Sequence, residues 1–294
     1  MPITVMMSLR GADRRAGGRR AVERPAEPPR GAGRPRVVVV RLPVVRPAMS
    51  DTVAGRADEV AQAPRARFGV RDTSGTRSVM RMRLTKFGHA CVRLEESGTT
   101  VVLDPGALTD PAAAHGADAV LITHEHFDHF EPATLRAAAA ANPDLVVWAP
   151  DSVAAQLGEV DGLAGRVRTA AHGDVLKVGP LDVHVYGEWH APTHLDPIHN
   201  VGYLVAGRVF HPGDAFTVPQ DPVDTLLLPS NAPWLKSLEA IAYAEQVGAR
   251  QGFSIHDGLV NEIGLRVVDN VLGVASKRTG REYRRLPVGD SVEL

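Results

Sequence analysis

A single cysteine, Cys91, stands in 294 residues. No disulfide can form within the chain, and no cysteine-based zinc ribbon can be built. No apolar run reaches the roughly 18 residues that a bilayer-spanning helix needs. The greasiest early stretch, VVVVRLPVV at 37–45, is broken by Arg41 and Pro43. The opening MPITVMMSLRGADRRAGGRR lacks the apolar core of about 7–15 residues that a secretory signal carries. The expected setting is reducing and cytoplasmic. Lysine is missing from the first 79 residues, where 16 arginines face 7 acids; the remainder reverses the balance, with 17 basic residues against 27 acidic ones. The net charge of −1 therefore conceals a basic leading segment.

That segment is also short of aromatics, with Phe68 alone. Clusters such as RRAGGRR, ERPAEPPRGAGRPR and GRADEVAQAPRARFG show little hydrophobic periodicity. Such composition buries too little apolar surface to offset the entropy of ordering, so residues 1–80 are expected to be a disordered Arg/Pro/Gly-rich extension ahead of one domain at 81–294. One role for it is a basic arm for nucleic acid or an anionic membrane. Missing stacking rings weigh against nucleic acid. An inert extension, or sequence upstream of a start at Met80 or Met82, is the plainer reading.

From Met82 the texture changes. MRLTKFGHACVRLEE and TTVVLDP predict two strands around the turn ESG. GADAVLIT and LVVWAP are short apolar runs typical of buried strands. EPATLRAAAAAN predicts a helix with Pro132 in its first turn. RVRTAAHGDVLKVGPLDVHVYGEW reads as a strand pair, VGYLVAGRVFHPGD as a hairpin turning at Ala206–Arg208, and TLLLPS as a strand. SLEAIAYAEQVGAR places Leu238, Ile241, Ala242 and Val247 on one helical face, and GFSIHD is a last strand before a tail of mixed character. Alternation of this kind implies α/β or α+β layers.

All twelve histidines follow Met80. Three of them, with an aspartate, crowd into THEHFDH as His124, His126, Asp128 and His129. On extended backbone, residues two apart face the same way, so His124 and His126 can address one point. Asp128 and His129 can address a neighbouring point as the chain turns toward the helix. Imidazole and carboxylate together suit Zn, Mn, Fe or Ni. A merely solvated polar loop gains nothing from this crowding.

The HEHFDH stretch resembles the H-x-H-x-D-H motif of the metallo-β-lactamase superfamily. KFGHACVRLE with TTVVLDPG, VGYLVAGRVFHPGDAF and SIHDG resemble, in the expected order, further segments of its small metal-dependent hydrolase branch, which includes ascorbate-phosphate lactonase-like proteins. The likeness runs from Met82 to about Leu294. It implies an α+β fold, an αββα sandwich with a dinuclear metal site between its sheets. It further implies that His124 and His126 hold a first metal with a third histidine. His190, His194 and His199 are available for that place. His190 is preferred because it is expected to end a rigid strand. Asp128, His129 and His256 would hold the second metal, and Asp214 would bridge.

His194 and His199 are then candidates for substrate binding or for protonating the leaving group. His89 reads as a core or supporting histidine, and His211 as packing near the site. His115, His172 and His184 read as structural. Asp104 is expected to fix the loops beneath the metals, Asp257 to orient a ligand, and Cys91 to fill space in mid-strand. Trp189 and Trp234 suit pocket or core equally.

The resemblance implies two divalent ions, zinc first among them, sharing a water of lowered pKa that attacks a small ester, lactone or phosphoester, with Asp128 steering its proton. A glutamate in place of His126 would suit a di-iron oxygen reductase, and a cysteine in place of Asp214 would suit a β-lactamase; this chain has neither. The short spacing from GEWH to GDAF lacks the insertions of the RNA-processing branch. The alternatives kept open are a phosphodiesterase acting on a nucleotide or phospholipid, a metal-stabilised binding or sensor module without catalysis, and a nucleic-acid binder working through the basic arm. The expected partner is a small molecule; the sequence says nothing of oligomeric state.

Overall fold

The computed structural model describes residues 81–294. The expectation of disorder over residues 1–80 lies outside the described residues.

Among the described residues, fourteen strands form two seven-stranded sheets. The first sheet contains β1 (Arg83–Lys86), β2 (Val92–Glu96), β3 (Thr99–Leu103), β4 (Ala119–Leu121), β5 (Val146–Ala149), β6 (Val167–Thr169) and β14 (Ser291–Glu293), in the order β14-β1-β2-β3-β4-β5-β6. The second contains β7 (Val175–Val178), β8 (Leu181–Tyr186), β9 (Gly202–Val205), β10 (Val209–His211), β11 (Thr225–Pro229), β12 (Gln251–Ile255) and β13 (Glu282–Arg284), in the order β13-β12-β11-β10-β9-β8-β7. Each sheet is half antiparallel and half parallel. Pairing is antiparallel from β14 to β3 and parallel from β3 to β6. It is antiparallel from β7 to β10 and parallel from β10 to β13.

Side-chain alternation sorts residues into three cores. On β4, Ala119 and Leu121 join the central core between the sheets, while Val120 joins an outer core under the helices α1 (Pro132–Ala141) and α2 (Asp151–Gly158). On β11, Leu227 faces the central core, while Leu226 and Leu228 face the outer core under α3 (Ser237–Val247) and α4 (Glu262–Thr279). A strand covered on both faces must be apolar throughout, which is why these read as unbroken greasy runs. The result is helices, sheet, sheet, helices: the αββα sandwich.

Several local expectations are corrected. The stretch from Met82 to Glu96 is two strands, not one, because the chain leaves the sheet between Lys86 and Val92. Cys91 is therefore fully buried just ahead of β2 rather than in mid-strand. The 167–189 region holds three strands, of which β6 belongs to the first sheet and only β7 and β8 pair. Leu238 is 63% exposed; the buried face of α3 is Ala240, Ile241, Tyr243 and Ala244. The tail contains α4, the longest helix among the described residues, capped by the Asn261 side chain accepting from Ile263 N and Gly264 N. Its core face is sparse (Val268, Val271, Leu272, Ala275), so its apolar periodicity is diluted by charge. The hairpin at Ala206–Arg208, Pro132 at the start of α1, and the buried strands β4, β5 and β11 stand as expected.

Candidate metal centre

The functional side chains lie on loops that leave the sheets at neighbouring strand ends. From the first sheet come His89 (between β1 and β2), Asp104 (after β3) and Thr123–His129 (after β4). From the second come His190 (beyond β8), Asp214 (after β10), Asn231 (after β11) and His256 (after β12). His190 does not end β8, as expected from its sequence; β8 stops at Tyr186, and His190 is held instead by its own N–H to Ile198 O, 3.0 Å, beside an isolated bridge between Trp189 and His199.

Two groups of four potential ligand atoms converge, each within 4.8 Å: His124, His126, His190 and Asp214, and His89, Asp128, His129 and His256. All seven residues that the resemblance singled out are brought together. His194 is exposed and outside both groups, and His199 is half-buried against Trp189, ring centroids 4.5 Å apart.

Outer oxygens orient most of these rings. Nδ1 of His124 donates to Thr123 Oγ1 (2.9 Å), of His129 to Asp104 (2.7 Å), of His190 to Ala191 O (2.5 Å) and of His256 to Asn231 O (2.6 Å). Each ring thereby turns a bare Nε2 lone pair inward, the arrangement typical of metal-binding imidazoles. Asp214 sits at the focus: its Oδ1 is 3.2 Å from His129 Nε2, and its Oδ2 is 3.4 Å from His190 Nε2 and 2.9 Å from His256 Nε2. His124 Nε2 faces His126 Nδ1 at 3.0 Å.

Two histidines have the opposite polarity. His89 Nδ1 accepts from Gly258 N (3.0 Å), which leaves its Nε2–H to face Asp128 Oδ2 at 3.1 Å. It orients that carboxylate, a role closer to the supporting one expected. His211 accepts from Gly213 N on Nδ1 and donates to Ala90 O from Nε2, so both nitrogens are committed. His184, read from the sequence as structural, has a carboxylate beside it, with Asp221 3.0 Å away.

Asp104 fixes the underlying loop as expected. It is fully buried, with Oδ1 accepting from Thr123 N (2.8 Å) and Oδ2 from Thr123 Oγ1 (2.7 Å) as well as from His129. Its backbone, and that of His256, lie in the left-handed region (φ 48° and 60°), a strain held by this surrounding network. Asp257 touches no imidazole; it accepts from buried Lys86 Nζ (2.5 Å) and Ser254 Oγ (2.7 Å), pinning the turn that carries His256. Burial pulls the Lys86 pKa down, against the pull of Asp257. Trp234, whose role was open, donates its indole N–H to Asp214 Oδ2 at 3.0 Å. Nothing in LPSNAPWLKS signals that contact.

Charge in the cluster is frustrated without a cation. Burial pushes the His124 pKa well below the usual imidazole range, with His129 beside it adding to the effect. At His129 burial opposes the proton, but Asp214 and Asp104 hold the pKa well above that range. Burial also opposes the Asp214 charge, yet His129 and His256 keep its pKa well below the carboxylate range. Asp128, likewise opposed by burial, is brought down to about 2 by His89 and the neighbouring imidazoles. The buried His129 Nε2, His190 Nε2 and Asp214 Oδ1 have no hydrogen-bond partner. Orphaned inward lone pairs on a His/Asp donor set fit divalent cations.

A family profile described as "Beta-lactamase superfamily domain" matches residues 83–256. Protein Rv0786c of Mycobacterium tuberculosis is 37% identical over 187 residues, covering 61% of this chain and 85% of that protein. A UPF0173 metal-dependent hydrolase of Aeropyrum pernix is 31% identical over 151 residues, covering 45% of this chain and 61% of its own length. Among solved structures, Igni18, a metallo hydrolase from Ignicoccus hospitalis, shares the fold with a TM-score of 0.58 at 19% identity, covering 73% of this chain and 98% of that one. With the match spanning more than half of its length, the chain belongs to the metallo-β-lactamase superfamily.

Proposed function

We propose that this metal-dependent hydrolase works with a dinuclear centre, most simply of zinc, and cleaves a small ester, lactone or phosphoester. The observation that carries the reading is the position of Asp214, whose two oxygens address His190 of one group and His129 and His256 of the other. His124, His126 and His190 would hold one ion, Asp128, His129 and His256 the other, and Asp214 both. Bound there, the pair supplies a water of near-neutral pKa and positive charge for the oxygen that becomes negative.

The chain's own groups do the rest. His89 keeps Asp128 oriented, and against the opposing effect of burial His89 and the neighbouring imidazoles keep that carboxylate ionised, so it can bind a cation and accept a hydrogen bond from the attacking water. Trp234 holds one Asp214 oxygen by its N–H. Residues 81–294 are proposed as the hydrolase domain.

Elemental analysis of the purified protein, paired with a substrate-class screen in the same metal, tests the reading. Two equivalents of transition metal and loss of turnover in His126→Ala are expected. A stoichiometry of one, or unchanged turnover in that variant, overturns it. Full metal occupancy with no turnover on esters, lactones or phosphodiesters would leave a metal-stabilised binding module instead.

A further inference from the structure

A cavity of about 260 Å³ opens against His126 and His190. Its remaining wall is the loop that follows Trp189, and most of that wall is apolar: Trp189, Pro192, Leu195 and Ile198. Not one lysine or arginine lines it, and Asp196 is its only charged residue. The loop is held at its neck. Asn200 N donates to Glu188 O and His190 N to Ile198 O, each 3.0 Å, and Ala191 N donates to Asp214 O at 2.8 Å. At the mouth Trp189 is 50% and Leu195 60% exposed, apolar surface left facing solvent beside the metal-binding groups. Phe127, next to His126, is 64% exposed as well.

We propose that this cavity receives the uncharged, apolar acyl or aryl part of a carboxylic ester or lactone. The inference rests on the hydrolase reading and narrows it. A charged group seated in this cavity would face a wall with no lysine or arginine and one carboxylate, whereas a hydrocarbon chain gains by leaving water. In the reaction, water oxygen bonds to the acyl carbon and the acyl–oxygen bond breaks. One water proton goes to the departing alkoxide oxygen, and the other leaves from the new carboxylic acid, which ends as its carboxylate.

The test uses the metal-loaded full chain and p-nitrophenyl acetate, butyrate and octanoate, with bis(p-nitrophenyl) phosphate as the charged alternative. The expected result is a kcat/KM that climbs by up to about fourfold per methylene until the cavity is full, with the phosphodiester slower than the butyrate. Leu195→Asp should flatten the gradient, Leu195→Met should keep it, and both should retain the metal content of the parent. Binding is read separately by quenching of tryptophan fluorescence with octanamide, a quench expected to shrink in Trp189→Phe. A flat gradient in a protein that does turn over esters, or faster phosphodiester cleavage, overturns the inference and leaves the hydrolase reading standing. If no substrate is turned over, the hydrolase reading fails, and octanamide binding alone then decides for or against the apolar site.

Discussion

At the residue scale, the far nitrogen of each histidine tells its role. Where Nδ1 donates to an oxygen, as in His129 and His256, the inner nitrogen is a free lone pair. Where Nδ1 accepts a backbone N–H, as in His89 and His211, the ring is a support. Asp104→Ala strips Thr123 and His129 of their buried acceptor, which should cost about 1–3 kcal/mol of stability and about 10–100-fold in metal affinity. Chelator competition with denaturant titration measures both, and unchanged affinity would contradict the role given to Asp104. Burial opposes a proton on His129 while Asp214 and Asp104 favour one, and a cation competes with protons for the inner imidazole nitrogens, so affinity falls as pH falls. Calorimetry in two buffers of different ionisation enthalpy should register proton release; its absence would refute the assignment. The crowded THEHFDH loop made four of these residues legible from sequence alone. Trp234 and the polarity of His89 were not legible, because both depend on which backbone group a distant loop presents.

At the scale of elements, the site depends on how closely loops approach. A Cβ on Gly106 would lie 2.1 Å from the backbone carbon and oxygen of Asp128, closer than any real contact. Gly106→Ala should therefore displace the loop of Asp128 and His129 and reduce metal occupancy, while circular dichroism stays native; full occupancy would show that the loops have slack. Leu272→Ala, in the core face of α4, tests the opposite: about 2–5 kcal/mol of stability lost by truncation of a buried leucine, with metal stoichiometry kept. Buried strands were readable because two-sided burial makes β4 and β11 apolar throughout. The split between β1 and β2 was not, since Phe87–Cys91 keeps strand-like composition while swinging His89 to the centre. His190 converges with His124, His126 and Asp214, but a loop hydrogen-bonded at its neck holds it and not the strand end expected.

At the scale of the molecule, charge convergence between the two sheets couples metal to stability. Buried imidazoles and carboxylates face one another across the central junction, and a cation that binds only the folded state stabilises it by mass action. Removing metal with a chelator should lower Tm, and adding zinc back should restore it; a Tm indifferent to metal would sink that coupling. The αββα layering was expected from the resemblance, while alternation alone left α/β and α+β open. Among the described residues no helix is long and apolar enough to cross a membrane, in keeping with the missing greasy runs.

The centre draws His124, His126, Asp128 and His129 from the half built on the first sheet and His190, Asp214 and His256 from the half built on the second. Neither half owns a full set of donors. A cobalt ion in place of zinc would therefore stay pale until the halves meet, and its colour during refolding would clock the moment of their docking.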